Sequence, residues 1–308
     1  MEQKKYDAII VGGGPGGYTA ALYCARAGLN ALVLEMMAPG GQMTTTNLID
    51  NYPGFNDGIG GFELGEKMKA GAERFGVKTE FAEVTELQLS KMPKQIVTAN
   101  GIYEADAIIL ATGTTPRTLD LPEESELRGR GISYCATCDG MFFKNKTVLV
   151  VGGGDSAAAD ALVLAKLCKK VYLVHRRDSL RASASYWNPL NSADNIEFIW
   201  NAQVTKLLHE NVITGAELTD KVTGERTELA CDGIFVAIGR LPNTSLVQGQ
   251  INLDASGYIL ADETTKTNIP GVFAVGDVRT KPLRQIVTAA ADGAVASMFA
   301  EEYLSLHL

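Results

Sequence analysis

Tyr6-Asp7-Ala8-Ile9-Ile10-Val11-Gly12-Gly13-Gly14-Pro15-Gly16-Gly17 is the stretch on which the fold turns. Its apolar half suits a buried strand, and it is far too brief for a signal peptide or a membrane span. It runs directly into Gly12-x-Gly14-x-x-Gly17, which includes Pro15, and then into a small-residue helix expected from Tyr18 to about Ala27 and ended by Gly28. In such a loop the first glycine makes the turn, the second lets the backbone meet a pyrophosphate and the third lets helix pack on strand. The phosphates then rest on the helix N-terminus. A second strand, Ala31 to Leu34, ends in Glu35, 23 residues beyond Gly12, where a carboxylate accepts from a ribose 2′-hydroxyl. The glycine motif alone is a weak signal. Strand, loop, helix, strand and acid in this order are a strong one for a dinucleotide-binding α/β fold.

The same pattern opens again 140 residues downstream. Thr147 to Val151 is the strand and Gly152-x-Gly154-x-x-Ala157 the loop, holding Asp155 and Ser156. An alanine-rich helix runs to about Cys168, and Val171 to Val174 is the second strand. His175 stands 23 residues past Gly152, at the offset that holds Glu35 in the first copy, and Arg176, Arg177 and Arg181 follow. Base has replaced acid. Guanidinium groups suit a 2′-phosphate, so this second site is expected to take NADPH rather than NADH; the plainer alternative is a solvated basic face. The repeat extends to Ala105–Gly113 and Cys231–Gly239, each with an Asp seven residues before its glycine and a proline, Pro116 or Pro242, beyond it.

The expected architecture is therefore α/β, with two Rossmann-like dinucleotide-binding domains, each three-layered around a parallel central sheet, the second inserted in the first. Residues 1–116 open the first domain, residues 117–246 form the second, NADPH-binding domain, and residues 247–308 follow it. Within the first domain, residues 40–54 are turn-rich and show no period, whereas Glu63 to Phe75 reads as an amphipathic helix. Short strands are expected around Thr79 to Leu89 and Gln95 to Thr98. After the insertion come a strand from Val272 to Val275, Gly276-Asp277 and a helix from about Arg284 to Leu304.

The insertion also carries Cys135-Ala136-Thr137-Cys138-Asp139. Two intervening residues let a tight turn bring the sulfurs within disulfide range, and the spacing tends to lower one thiol's pKa. A structural zinc site would need four ligands, and the sequence holds no second C-x-x-C and no paired histidines. The pair is expected to cycle between dithiol and disulfide. The other three of the five cysteines, Cys24, Cys168 and Cys231, sit singly in apolar or helical contexts and read as small core residues. An odd, scattered cysteine count is the pattern of a reducing compartment, so a cytoplasmic location is expected. The 308 residues carry a net charge of −8 and 46% hydrophobic residues. That balance argues against nucleic acid or an anionic membrane as partner.

Taken together, these motifs resemble those of the bacterial-type low-molecular-weight thioredoxin reductases, FAD-dependent members of the pyridine nucleotide-disulfide oxidoreductase family, over essentially the whole chain. Gly12, Gly14, Pro15 and Gly17 with Glu35, Gly41, Gln42, Asn51 and Gly113 resemble the FAD site, as do Asp277, Arg284, Gln285 and Ile286. Gly152, Gly154, Asp155, Ser156 and Ala157 with His175, Arg176, Arg177 and Arg181 resemble the NADPH site. Leu180 departs from the aromatic expected there in many relatives. The resemblance implies electron flow from NADPH to FAD, to a Cys135/Cys138 disulfide and on to thioredoxin. It further implies Cys138 as the flavin-facing sulfur, Cys135 as the attacker of thioredoxin, Asp139 as acid/base, the final segment as part of the FAD domain, and a homodimer. A flavoprotein reductase of a peroxide-reducing system and a redox-sensing flavoprotein are the alternatives. The first is expected to carry an extra N-terminal thioredoxin-like region, and the second would not need an NADPH site.

Overall fold

The structure, a computed structural model, describes residues 4–46 and 48–307, and the chain divides into two units. The first comprises the chain up to Thr115 together with Leu241 onward, and the second is Pro116–Arg240. The return crossing thus lies at Arg240 and Leu241, earlier than the expected boundary at Leu246. Leu246, Val247 and Ile251 pack into the apolar core of the first unit, which draws the preceding residues to that side. The two crossing segments, Thr114–Pro116 and Arg240–Pro242, pair with each other as a two-stranded ribbon.

In the first unit the strand Lys4–Val11 lies between Ala31–Glu35 and Gly101–Leu110, pairing parallel to both, and Lys78–Phe81 continues the parallel order beyond Ala31–Glu35. The long strand Gly101–Leu110 divides its other edge. Its first half pairs antiparallel with Lys94–Thr98, which in turn pairs with Val84–Gln88; its second half, Ile108 to Leu110, pairs parallel with Val272–Ala274. The final segment thereby completes the sheet begun at the N-terminus.

Successive residues of a strand face opposite sides of a sheet. Ile9, Val11, Leu32, Leu34, Ile108 and Leu110 enter one core, while Ala8, Ile10, Val33, Ala107 and Ile109 enter the other. Burial on both faces is the reason these strands read as continuous apolar runs rather than alternating ones. The helices Pro15–Arg26 and Ile286–His307 cover the second face, supplying Tyr18, Ala21, Cys24, Ala296, Ala300 and Leu304. They meet backbone to backbone, since a Cβ on Gly293 would lie 2.3 Å from the Gly16 carbonyl oxygen. Gly28 closes the first helix in a left-handed conformation, with its N–H on the Ala25 carbonyl and that of Leu29 on the Cys24 carbonyl.

The second unit repeats the plan. Thr147–Val151 is flanked by Lys170–Val174 and Gly233–Val236, with Ile196–Ile199 and Ile132–Ser133 at the edges, all parallel. One face packs Val148, Val150, Leu173 and Phe235 on the helix Asp155–Ala165; the other packs Leu149, Val151 and Ile234 on an antiparallel sheet of Ala202–His209, Ile213–Asp220 and Arg226–Ala230. Leu180 is buried in the helical-side core.

Candidate active site

Cys135 and Cys138 are joined in a disulfide, with Cα atoms 5.3 Å apart. The strand Ile132–Ser133 delivers the chain to Cys135, which caps the four-residue helix Ala136–Asp139, its Sγ accepting from the Cys138 N–H at 3.2 Å. Both cysteines and Asp139 are half-buried, and Thr137 between them is exposed. Burial raises the Asp139 carboxyl above its ordinary pKa, opposed by the Ser133 hydrogen bond and the charge of Arg128. Ala136 is buried against the helix Asp155–Ala165, whose Asp160 carboxyl is pushed up to about 6 by burial; the Ala136 N–H and the charge of Arg240 offset only part of that. Cys24, Cys168 and Cys231 are free and buried, and burial pushes each thiol up, away from the thiolate form that reacts.

The opening glycine loop shows a separate constraint at each position. Gly12 has φ +105°, and a Cβ there would lie 2.4 Å from the Ala111 carbonyl oxygen. One on Gly17 would lie 2.0 Å from the Gly12 oxygen, whereas one on Gly14 would meet nothing within 4 Å. The middle glycine therefore faces free space at the N-terminus of Pro15–Arg26, a helix with no side-chain cap and no acid in its first turn. These features fit a pyrophosphate. Glu35 lies beside the loop, accepting from the Gly13 N–H at 2.6 Å and from Met36 and Met37 N–H. A carboxylate has about four lone-pair sites, which leaves room for a ribose hydroxyl.

The remaining residues of the first set lie in the same unit. The Gly40 N–H bonds to Gly13 O at 2.8 Å, and Gly41 follows it. Gln42 donates to Thr114, next to Gly113, while Asn51 donates to Gln285 at 3.0 Å. Arg284 donates to the Asp277 and Arg279 carbonyls with its guanidinium over the Tyr258 ring, and Ile286 packs on Met43, Ile49, Ile59 and Leu64. Sequence reasoning missed what holds the Gly276-Asp277 turn. Asp292 accepts from Gly276 N–H, bidentately from Arg279 and again from Lys281, all within 2.9 Å and almost wholly buried. Its one sequence signal is a lone acid in the apolar stretch of residues 286–300, which buried would need a partner.

In the second unit the loop is built alike, but the third glycine is Ala157, fully buried. A Cβ on Gly152 would lie 2.7 Å from its Cβ, while one on Gly154 would meet nothing within 4 Å. His175 packs its ring flat on Gly153, is only 5% exposed, and leaves Nε2 buried without a partner. It thus lies under the loop, and burial, then the charges of Arg181, Arg176 and Arg177, lower its pKa. The three arginines are exposed, and among the described residues none is paired with a carboxylate. Arg181 is tied to the loop through its N–H on Gly153 O at 2.7 Å. Asp155, at the start of the helix, spends its carboxylate on the N–H and hydroxyl of Ser183, and Ser156 is exposed. Unpaired guanidinium groups beside an open glycine loop fit a phosphorylated nucleotide.

Two glycine loops following parallel strands and a C-x-x-C disulfide agree with the family comparison, in which residues 6–293 match the family model of pyridine nucleotide-disulphide oxidoreductases. The chain belongs to this family. As a pyridine nucleotide-disulphide oxidoreductase it is a flavin-dependent oxidoreductase that uses a pyridine nucleotide. A thioredoxin reductase of Listeria monocytogenes is 45% identical over 304 residues, covering 98% of this chain and 95% of the relative. One from Streptomyces clavuligerus is 46% identical, covering 97% and 94%. The crystal structure of thioredoxin reductase from Streptococcus pyogenes is similar with a TM-score of 0.92 at 42% identity, covering 99% of this chain and 100% of that one. Among the described residues no helix is long and apolar enough to cross a membrane.

Proposed function

We propose that this oxidoreductase is an NADPH-dependent thioredoxin-disulfide reductase with FAD as its flavin. The observation that carries the reading is a closed Cys135–Cys138 disulfide ending in a half-buried Asp139, in a unit with its own glycine loop and three unpaired arginines. FAD, when bound, supplies the two-electron chemistry that links a nicotinamide to a disulfide. Gly12, Gly14, Pro15 and Gly17 hold its pyrophosphate and Glu35 its ribose, while Gly41, Gln42, Asn51, Gly113, Asp277, Arg284, Gln285 and Ile286 frame the rest. Gly152, Gly154, Asp155, Ser156 and Ala157 receive the NADPH pyrophosphate. Arg176, Arg177 and Arg181 take its 2′-phosphate, with His175 supporting the loop from beneath.

Two electrons delivered to the disulfide break the S–S bond and leave two thiolates, which become a dithiol on taking up two protons. Cys135 as thiolate attacks the thioredoxin disulfide, and Cys138 then attacks the mixed disulfide, re-forming the Cys135–Cys138 bond and releasing reduced thioredoxin. Asp139 holds the proton that one of these sulfurs takes up and gives back. The family likeness supports a cytoplasmic homodimer. The test is NADPH oxidation by the FAD-loaded protein with and without oxidised thioredoxin, and with NADH in place of NADPH. Turnover that requires thioredoxin and prefers NADPH is expected. NADPH oxidation that thioredoxin does not accelerate would overturn the proposal.

A further inference from the structure

We propose that Ser133 is a positioning residue for the redox centre: its hydroxyl holds the Asp139 carboxyl and the Cys135 backbone in one arrangement, so that a single carboxyl oxygen is left to exchange protons with the sulfurs. This rests on the acid/base role proposed for Asp139.

Ser133 Oγ lies 2.6 Å from Asp139 Oδ2 and accepts from the Cys135 N–H at 3.2 Å. The Cys135 carbonyl oxygen is a competing acceptor at 3.4 Å. A hydroxyl carries one hydrogen, and the short contact to a carboxylate is the stronger bond, so the hydrogen goes to Asp139. The serine is thus donor to the acid and acceptor from the cysteine at once. It is also rigid, being 3% exposed and lying on the edge strand Ile132–Ser133, where it stands opposite Phe235 in the parallel sheet. The acid is therefore fixed by the sheet rather than by its own four-residue helix.

Proton bookkeeping follows from this geometry. When the disulfide accepts two electrons, the S–S bond breaks and both sulfurs become thiolates. With Oδ2 taken by Ser133, the acid's proton resides on Oδ1 and passes to one sulfur, leaving Asp139 as carboxylate; the reverse transfer regenerates the thiolate that attacks a disulfide. The Ser133 bond is stronger to the carboxylate than to the acid. It therefore favours ionisation, in the same direction as Arg128 and against burial. Other titratable groups around the motif are Cys135, Cys138, Tyr134, whose hydroxyl donates to Glu124 and whose pKa burial raises, and, on the helix packed against Ala136, Asp160 with Arg240 beside it.

The experiment uses the FAD-loaded protein, reduced at the disulfide with a chemical dithiol and freed of it. The rate of thiol alkylation by iodoacetamide is followed from about pH 5 to pH 9, with neither nucleotide nor thioredoxin present. In the wild type an inflection from Asp139 is expected, and Asp139→Asn should remove it. Ser133→Ala should move it upward by about one pH unit, a tenfold change in the protonation constant. Ser133→Thr should bring it back, and Ser133→Ala should add nothing to Asp139→Asn. An unshifted profile in Ser133→Ala, or an equal effect of Ser133→Ala with and without Asp139, would overturn the proposal. An Asp139→Asn profile identical to wild type would remove the acid role beneath it, whatever thioredoxin assays show. Should Ser133→Ala not fold, the infrared carbonyl band of protonated Asp139 in the wild type decides. A band at the frequency of a hydrogen-bonded acid supports the bond, and one at that of a free acid excludes it.

Discussion

Replacing Asp292 by Asn tests whether the buried ion cluster holds the turn between Val272–Ala274 and the C-terminal helix. The carboxylate takes four donors: the Gly276 N–H at 2.8 Å, two from Arg279 at 2.9 and 2.7 Å, and Lys281 at 2.7 Å. Arg279 and Lys281 side chains are almost wholly buried; Glu263, 4.0 Å from Arg279, and Asp262, whose charge also acts on it, are exposed. An amide keeps the shape and loses the charge, leaving two buried cations opposed by a neutral group that also presents N–H to N–H. Breaking a buried pair in this way costs about 3–5 kcal/mol. For a unit of this size that is on the order of 10 °C in melting temperature. The assay is thermal unfolding at neutral pH, read by circular dichroism and by flavin fluorescence together. The pH dependence has a definite sign. Burial alone would raise the Asp292 carboxyl, but Arg279 and Lys281 outweigh it and hold it below the ordinary carboxylate range. Its contribution is therefore present above about pH 4 and lost as pH falls through the lower folded value, so wild type and variant should converge below about pH 4. A loss under about 1 kcal/mol at neutral pH, the value of a solvated surface pair, would refute the reasoning.

Cys135→Ser and Cys138→Ser should each leave NADPH able to bleach the flavin while thioredoxin turnover stops; near wild-type turnover in either would break the proposed relay. Replacing Arg176, Arg177 and Arg181 together should weaken NADPH by about a hundredfold and NADH far less, since charge-assisted bonds contribute about 1.5 to 3 kcal/mol each without adding fully. Steady-state KM values for the two nucleotides check this, and equal weakening would reject a 2′-phosphate role. Gly12→Ala should reduce FAD affinity about tenfold or more, because strain of about 1–3 kcal/mol falls on the loop itself; flavin content after dialysis measures it, and full retention would count against the loop reading.

The repeated order of apolar strand, glycine loop, small-residue helix and second strand was legible in the sequence because each step has a local cause. A strand buried on both faces must be apolar throughout, Gly12 must tolerate φ +105°, and the helix must be small-sided to let Gly16 and Gly293 meet. The C-x-x-C was legible for the same reason, since disulfide reach is set by two intervening residues. What no local rule carries is pairing between distant segments. That Val272–Ala274 joins the edge of Gly101–Leu110 was expected only through family likeness, and that residues 241–246 side with the first unit depends on Leu246 and Val247 finding a core formed mostly by earlier strands. His175 shows the same limit within the site. Its offset from Gly152 marks it as a nucleotide ligand, but the close approach of Gly153 turns it into the floor beneath the loop. Ser133 has no periodicity or spacing that would single it out; the parallel pairing opposite Phe235 brings its hydroxyl to Asp139. A sequence specifies its local turns through sterics, whereas hydrogen bonds and ion pairs between segments depend on where the sheets and cores finally bring the chain together.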